Sequence, residues 1–240
     1  MRNFVNYSSV ISDAYDLHTK KSEIIDRKRE ILDKVLEYYN LSPKSYLFIG
    51  FNPLIFTLSN SCSVTVSQVS DSVVQTLNKQ RTVNILQDVR TEKFDCIIAA
   101  DEFLTFAETD EEQKNNIMTL CTLSKDIIIT TVKDYKNQDF KDREYSSPAI
   151  IKSQSMTTAF TEIHNWDYQD KNKWTTAVYQ LQNESAVCRG LYSRRTLYFK
   201  QLAKFCKDYG ATDFLVHKNL MYKSLIKKNY EHVISVRFDN

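Results

Sequence analysis

The residues that could do chemistry begin in the stretch Ser45–Leu58, SYLFIGFNPLIFTL. Gly50 can take positive φ and lets backbone come close to a ligand. Asn52 is among the few other residues that tolerate the left-handed region, and Pro53 suits the first position of a helix. A strand, a glycine turn and a helix N-terminus together hold a nucleotide-type ligand, because the first helix amides are free to donate and the dipole favours anionic groups. The same pattern also serves as an ordinary β–α turn. A second group is acidic. Asp88 ends an apolar run, where it could face a ligand or simply cap a strand. Asp101 and Glu102 are adjacent, so on an extended loop they point apart and one of them faces the site. Asp101 is the candidate base; that work needs a carboxyl group tuned by its surroundings. His18, His217 and His232 have no metal-ligand spacing, so no metal is assigned. His164 reads as a packed residue. Phe51, Tyr135, Trp166 and Trp174 read as core or hairpin packing before substrate stacking.

The elements that position these residues follow from periodicity. Residues 1–20 start irregularly. Ser22–Tyr39 is a helix with Ile24, Ile25, Ile31, Leu32, Val35 and Leu36 on one stripe. Strands are expected at Tyr46–Ile49, Val64–Val66, Thr82–Leu86, Phe94–Ala99 and Ile127–Val132, the last two fully buried. Helices are expected from Pro53, over Ser72–Gln80 after the caps Ser70 and Asp71, and over Glu111–Leu123 after Thr109 or Asp110. Lys133–Ser155 is loop-like. Ala159–Asn165 and Trp174–Leu181 alternate apolar and polar residues and form an antiparallel hairpin at a sheet edge. Beyond residue 183, Leu191–Tyr209 reads as a helix stopped by Gly210. Asp213–His217 then reads as a strand, Leu220–Lys228 as a helix and His232–Phe238 as a strand.

Strands alternating with helices predict a doubly wound, mostly parallel sheet in a three-layer α/β/α architecture. Its ligand sits beyond the carboxyl ends of the strands, where Gly50–Pro53, Gln68–Asp71, Asp88–Arg90 and Ala100–Leu104 fall. The chain divides into an N-terminal helical segment (1–44), the α/β domain (45–182) and a small basic α/β C-terminal appendage (183–240). In 240 residues with a net charge of +2, the whole chain gives no electrostatic argument for or against nucleic acid. No apolar run is long enough to cross a membrane, and the N-terminus has no signal-peptide core. Five scattered cysteines without a CxxC pair suggest free thiols in a reducing cytoplasm. The many Lys, Asn, Ile and Tyr suggest a low-GC coding bias of the kind some viral genomes carry.

Two stretches, FDCIIAADEFLTF and DEEQKNNIMTLCTLSKDIIITTV, give the chain a family likeness. Over roughly residues 45–181 it resembles a class I S-adenosylmethionine-dependent methyltransferase. Those stretches look like the family's fourth strand, the loop after it, a helix and the fifth strand. AFTEIHNWDYQDKNKWTTAVYQL looks like its antiparallel strands six and seven. The resemblance implies S-adenosylmethionine as cofactor and methyl transfer to an unidentified acceptor. It places Gly50, Phe51 and Asn52 in the cofactor loop, Gln68 at the ribose hydroxyls, Asp88 near the adenine, and Asp101 facing the methyl donor or substrate. Phe48 stands where the family often has an acid, and neutral Gln68 replaces the usual ribose acid. There is no Asn/Asp-Pro-Pro-aromatic motif after strand four and no Pro-Cys pair. The alternative implied by these departures is a non-catalytic module that keeps the fold, with its pocket plugged by Phe48 or Phe51. In the C-terminal segment basic residues outnumber acids and tyrosines are interleaved. Lys223, Lys227 and Lys228 are therefore candidate contacts for weak, sequence-independent nucleic-acid binding, the alternative being solvated helix faces.

Overall fold

The computed structural model of the chain describes residues 2–86, 92–134, 143–152, 156–183, 185–226 and 230–239. Its start is not irregular: Arg2–Leu17 forms a helix, α1. Phe4, Tyr7, Ser8, Ile11, Ala14 and Tyr15 recur at helical spacing and are buried. The serines on that face dilute the apolar signal in the sequence. A second helix, α2 (Lys21–Tyr38), follows as expected, but its buried stripe carries Lys28 beside Leu32, Val35 and Leu36.

The chain then alternates as anticipated. Strand β1 (Ser45–Ile49) leads through Gly50 into Pro53–Thr57, which is one short 3-10 turn rather than an α-helix. Strand β2 (Ser63–Ser67) and helix α3 (Asp71–Asn78) come next, with the Ser70 side chain accepting from the Val73 amide. The third strand shrinks to Asn84–Ile85, β3. Strand β4 (Phe94–Ala99) has the expected bounds. Helix α4 (Asp110–Leu123) is capped by Thr109 and runs directly into strand β5 (Ser124–Val132).

After β5 the structure departs from the sequence reading. Arg143–Tyr145 (β6) and Ala149–Lys152 (β7) are strands inside the segment expected to be loop. Thr157–Trp166 (β8) and Lys173–Gln182 (β9) do form the expected hairpin, with Trp166 opposite Trp174. That hairpin, however, belongs to a separate antiparallel sheet ordered β10-β9-β8-β6, with β7 also on β8. Strand β10 (Ser185–Arg195) and helix α5 (Phe199–Asp208) replace the single helix expected over Leu191–Tyr209. Gly210 does sit just beyond the helix end at φ +92°.

The C-terminal strands are not an appendage. Strand β11 (Asp213–Lys223) takes up the first four residues of the helix expected at Leu220–Lys228, and strand β12 is Tyr230–Arg237. The central sheet is ordered β11-β12-β5-β4-β1-β2-β3, with β12 antiparallel to both neighbours and the rest of the core parallel. The edge of the doubly wound sheet is thus antiparallel as expected, but residues 213–237 supply it. Local alternation identifies a hairpin, and says nothing of which sheet it joins. The α/β/α layering is as anticipated.

Candidate functional site

Backbone geometry singles out the carboxyl edge of the central sheet. Gly50 after β1 has φ +80°, Gln68 after β2 φ +57°, and Asp101 and Glu102 after β4 φ +56° and +55°. For residues other than glycine this conformation is strained, and such strain persists where surrounding contacts impose it, often at ligand sites. Three loops from distant parts of the chain therefore bring Gly50, Gln68 and Asp101 to one edge, as the doubly wound topology requires.

Helix α1 lies across that edge. A Cβ placed on Gly50 would sit 2.6 Å from Phe4 Cε1 and 3.2 Å from Ser8 Oγ. Ser8 Oγ accepts from the Phe51 amide at 2.6 Å, and Ser9 Oγ bonds Ser70 Oγ at 2.9 Å. The Phe4 ring packs edge-on against Phe103 and Phe106, each at 4.9 Å. Three more amides of the glycine turn are also taken. Gly50 N–H donates to the Ser67 carbonyl, Leu54 N–H to Asn52 Oδ1 and Ile55 N–H to the Asn52 carbonyl. With α1 seated over Gly50, the turn lacks the space to hold the methionine end of an adenosyl cofactor. The plug is Phe4 and Ser8 rather than the anticipated Phe48 or Phe51. Phe51 packs instead into the core beside Tyr15, at 5.3 Å.

Beneath the turn runs a buried polar network. Asn52 Nδ2 donates to Tyr222 Oη at 3.2 Å, and Tyr222 Oη donates to Asp101 Oδ2 at 3.2 Å. Burial first, and the Asp101 carboxylate next, hold the Tyr222 phenol well above its ordinary pKa, so it stays a donor. The Lys28 ammonium lies over the Tyr222 ring at 3.5 Å. Burial pushes Lys28 down to about 8 against the pull of Asp101 and Glu231. Glu102 N–H donates to Thr131 Oγ1, which donates to Glu231 Oε2 at 2.5 Å; this chain pins the left-handed Glu102. Asp101 Oδ1 is buried and has no hydrogen-bond partner among the described residues. It is an acceptor left waiting for a donor.

On the other side of α1, Arg194 is fully buried. It bonds Glu102 at 3.2 Å, lies 3.9 Å from Glu162, and stacks over Phe106 at 4.0 Å. Tyr7 Oη donates to Glu162 Oε1 at 2.8 Å. Arg195 pairs with Asp110 and Asp170. Arg194 thus ties the second sheet to the loop after β4, and Arg195 ties it to the start of α4, so neither belongs to a basic surface.

The structure joins Gly50, Phe51, Asn52 and Asp101 into one locus, with Gln68 at its β2 margin. Asp88, Lys227 and Lys228 fall outside the described residues, as does Tyr135. Lys223 is exposed at the end of β11. His164 is packed as anticipated, with Nδ1 2.9 Å from Thr176 Oγ1. Sequence reasoning missed Phe4, Ser8, Lys28, Tyr222 and Arg194. Lys28 was legible, since it falls on the apolar stripe of α2. The others acquire their roles only through contacts with distant segments.

No protein-family model matches the chain, and no curated protein matches it. Solved structures do. The SAM-bound amino pentose methyltransferase CalS10 from Micromonospora echinaspora superposes with a TM-score of 0.69 at 10% identity, over 95% of this chain and 96% of that one. DesVI from Streptomyces venezuelae gives 0.69 at 11% identity, over 95% and 97%. An S-adenosylmethionine-dependent methyltransferase from Clostridium acetobutylicum gives 0.64 at 11% identity, over 90% and 92%. At 90–95% of the chain, the match extends well beyond the parallel core. The chain has the fold of class I S-adenosylmethionine-dependent methyltransferases.

Proposed function

We propose that the chain is an S-adenosylmethionine-dependent methyltransferase whose cofactor crevice is closed by α1. The observation that carries this reading is the set of left-handed residues at Gly50, Gln68 and Asp101, together with the unpartnered Asp101 Oδ1, all on the carboxyl edge. A fold that only packed against itself would have no reason to keep this strain and this orphan acceptor together. Cofactor entry requires α1 to move off Gly50, freeing the Phe51 amide. Asp101, held by Tyr222, then faces the crevice as an acceptor for a bound group. Transfer of a methyl group chiefly needs in-line positioning, which fixed side chains supply.

The reading is tested by melting the full chain with and without S-adenosylhomocysteine. Ligand at a hundredfold over Kd adds about 2.7 kcal/mol of stability, so the midpoint rises. An unchanged midpoint at millimolar ligand removes it. That outcome would favour the second reading, a module that keeps the fold without the chemistry, for which the seating of Phe4 and Ser8 on the glycine turn speaks.

A further inference from the structure

A cavity of about 260 Å³ opens between α2, the end of β11 and β7. Lys28 in its wall lies over the ring of Tyr222, whose hydroxyl bonds Asp101. Its apolar wall is made by Ile24, Ile31, Ala149, Ile150, Met221 and Leu225. Its charged groups are all basic: Lys28 inside, and the exposed Arg27 and Lys223 outside. No carboxylate lines it among the described residues. Lys28 is 4% exposed and rests on the Tyr222 ring; Asp101 and Glu231 attract it, but among the described residues neither forms a hydrogen bond or ion pair with it. A second buried wall atom, His18 Nε2, also has no partner among the described residues. Burial, then Lys223 and Lys21, lower the His18 pKa, so the ring adds no charge near neutrality.

A buried ammonium that its carboxylate neighbours attract without direct contact is costly, and an anion entering from the cavity would give it a hydrogen-bonded partner. We infer that this cavity binds a small amphipathic anion, with an apolar body against Ile24, Ile31, Ile150 and Met221 and a carboxylate or phosphate head on Lys28. The volume lies just below the usual range for ligand pockets, so the ligand is small. Arg27 and Lys223 at the mouth steer the anion inward. Binding here does not depend on the methyltransferase reading. If that reading holds, the position beside Asp101 makes this ligand the methyl acceptor.

The test uses the full chain without S-adenosylmethionine, titrated calorimetrically at pH 7 and low salt. The probes are octanoate, octan-1-ol, octylamine and monohexyl phosphate. Octanoate or hexyl phosphate should bind at least about tenfold more tightly than octan-1-ol, as expected for one charge-assisted hydrogen bond, and octylamine should not bind. Whichever of the two anions binds more tightly assigns the head group. Lys28→Met should abolish the preference for octanoate over octan-1-ol while both still bind. Should that variant fold poorly, Lys223→Glu, at an exposed position, should weaken octanoate severalfold at low salt and leave octan-1-ol unchanged. Equal binding of octanoate and octan-1-ol by wild type overturns the inference, as does tight octylamine binding or no binding of any probe at millimolar concentration.

Discussion

The crevice over Gly50 and the cavity beside Lys28 are connected through the Asp101–Tyr222 pair, on whose ring Lys28 rests, but are finished differently. At the crevice, the Gly50, Phe51, Leu54 and Ile55 amides all have partners, and a phenylalanine from α1 fills the open face of the glycine. At the cavity, His18 Nε2 has none among the described residues, and the Lys28 ammonium has the Tyr222 ring and the more distant pull of Asp101 and Glu231 in place of a direct hydrogen bond. In the first region protein fills the glycine turn, so a ligand must displace α1 before it can reach the unpartnered Asp101 Oδ1. The second is left incomplete, so a ligand can add to it without displacing anything. Orphaned buried polar atoms mark where a fold expects something from outside.

The comparison can be broken by mutation, and the largest effect is expected at the tie behind α1. Arg194→Met leaves Glu102 and Glu162 buried without their cation. It should cost about 3–5 kcal/mol, because the penalty is that of uncompensated buried charge. Urea denaturation reads this directly, and a loss below about 1 kcal/mol would mean the pair is solvated. Gly50→Val forces a branched side chain into left-handed backbone and against Phe4. Strain of about 1–2 kcal/mol and overpacking of about 1–3 kcal/mol add, and the variant should also lose S-adenosylhomocysteine binding.

Lys28 sharpens the comparison through pH. Its pKa is depressed on folding to about 8, so between there and the unfolded value the unfolded chain binds more protons. Stability from this group therefore rises with pH through that window, by on the order of 3 kcal/mol at most. Asp101, Glu231 and Tyr222 face the ammonium, and Arg27 and Lys223 share its cavity. Tyr222 and the buried thiols of Cys96 and Cys206, their pKa values raised, work in the opposite direction in wild type and variant alike. Between pH 8 and pH 9.5 the denaturation midpoint of wild type should therefore rise relative to that of Lys28→Met; parallel behaviour of the two proteins would refute the assignment. The smallest effect is Ser8→Ala, which removes one buried hydrogen bond and should cost about 1 kcal/mol.

Much of the framework was legible. Phe94–Ala99 is a continuous apolar run with little to disguise it, and Thr109 followed by Asp110, Glu111 and Glu112 announces a helix start. The parallel core and the carboxyl-edge location of Gly50 and Asp101 follow from such local signals. The second sheet was not legible. The strands within residues 143–152 are only three and four residues long, too short for alternation to show, and Ser185–Arg195 is exposed along its first half. Leu220–Tyr222 reads as readily in a helix as in a strand, and pairing with β12 decides it. Arg194 looked like a surface cation because nothing nearby in sequence shows the acids that enclose it. Glu102 and Glu162 reach it from other segments entirely. Phe4 and Ser8 were missed because a plug for a crevice can come from any segment the fold brings there.

The central claim is that α1 closes the crevice while the neighbouring cavity stays open. Calorimetric titration of wild type and Phe4→Ala tests it, with S-adenosylhomocysteine and octanoate as separate ligands. Removing the ring weakens the seat of α1 on Gly50. S-adenosylhomocysteine should therefore bind the variant about ten times more tightly, a gain of about 1.4 kcal/mol, while octanoate affinity is unchanged. Weaker binding of S-adenosylhomocysteine by Phe4→Ala, or no binding by either protein, would contradict the account.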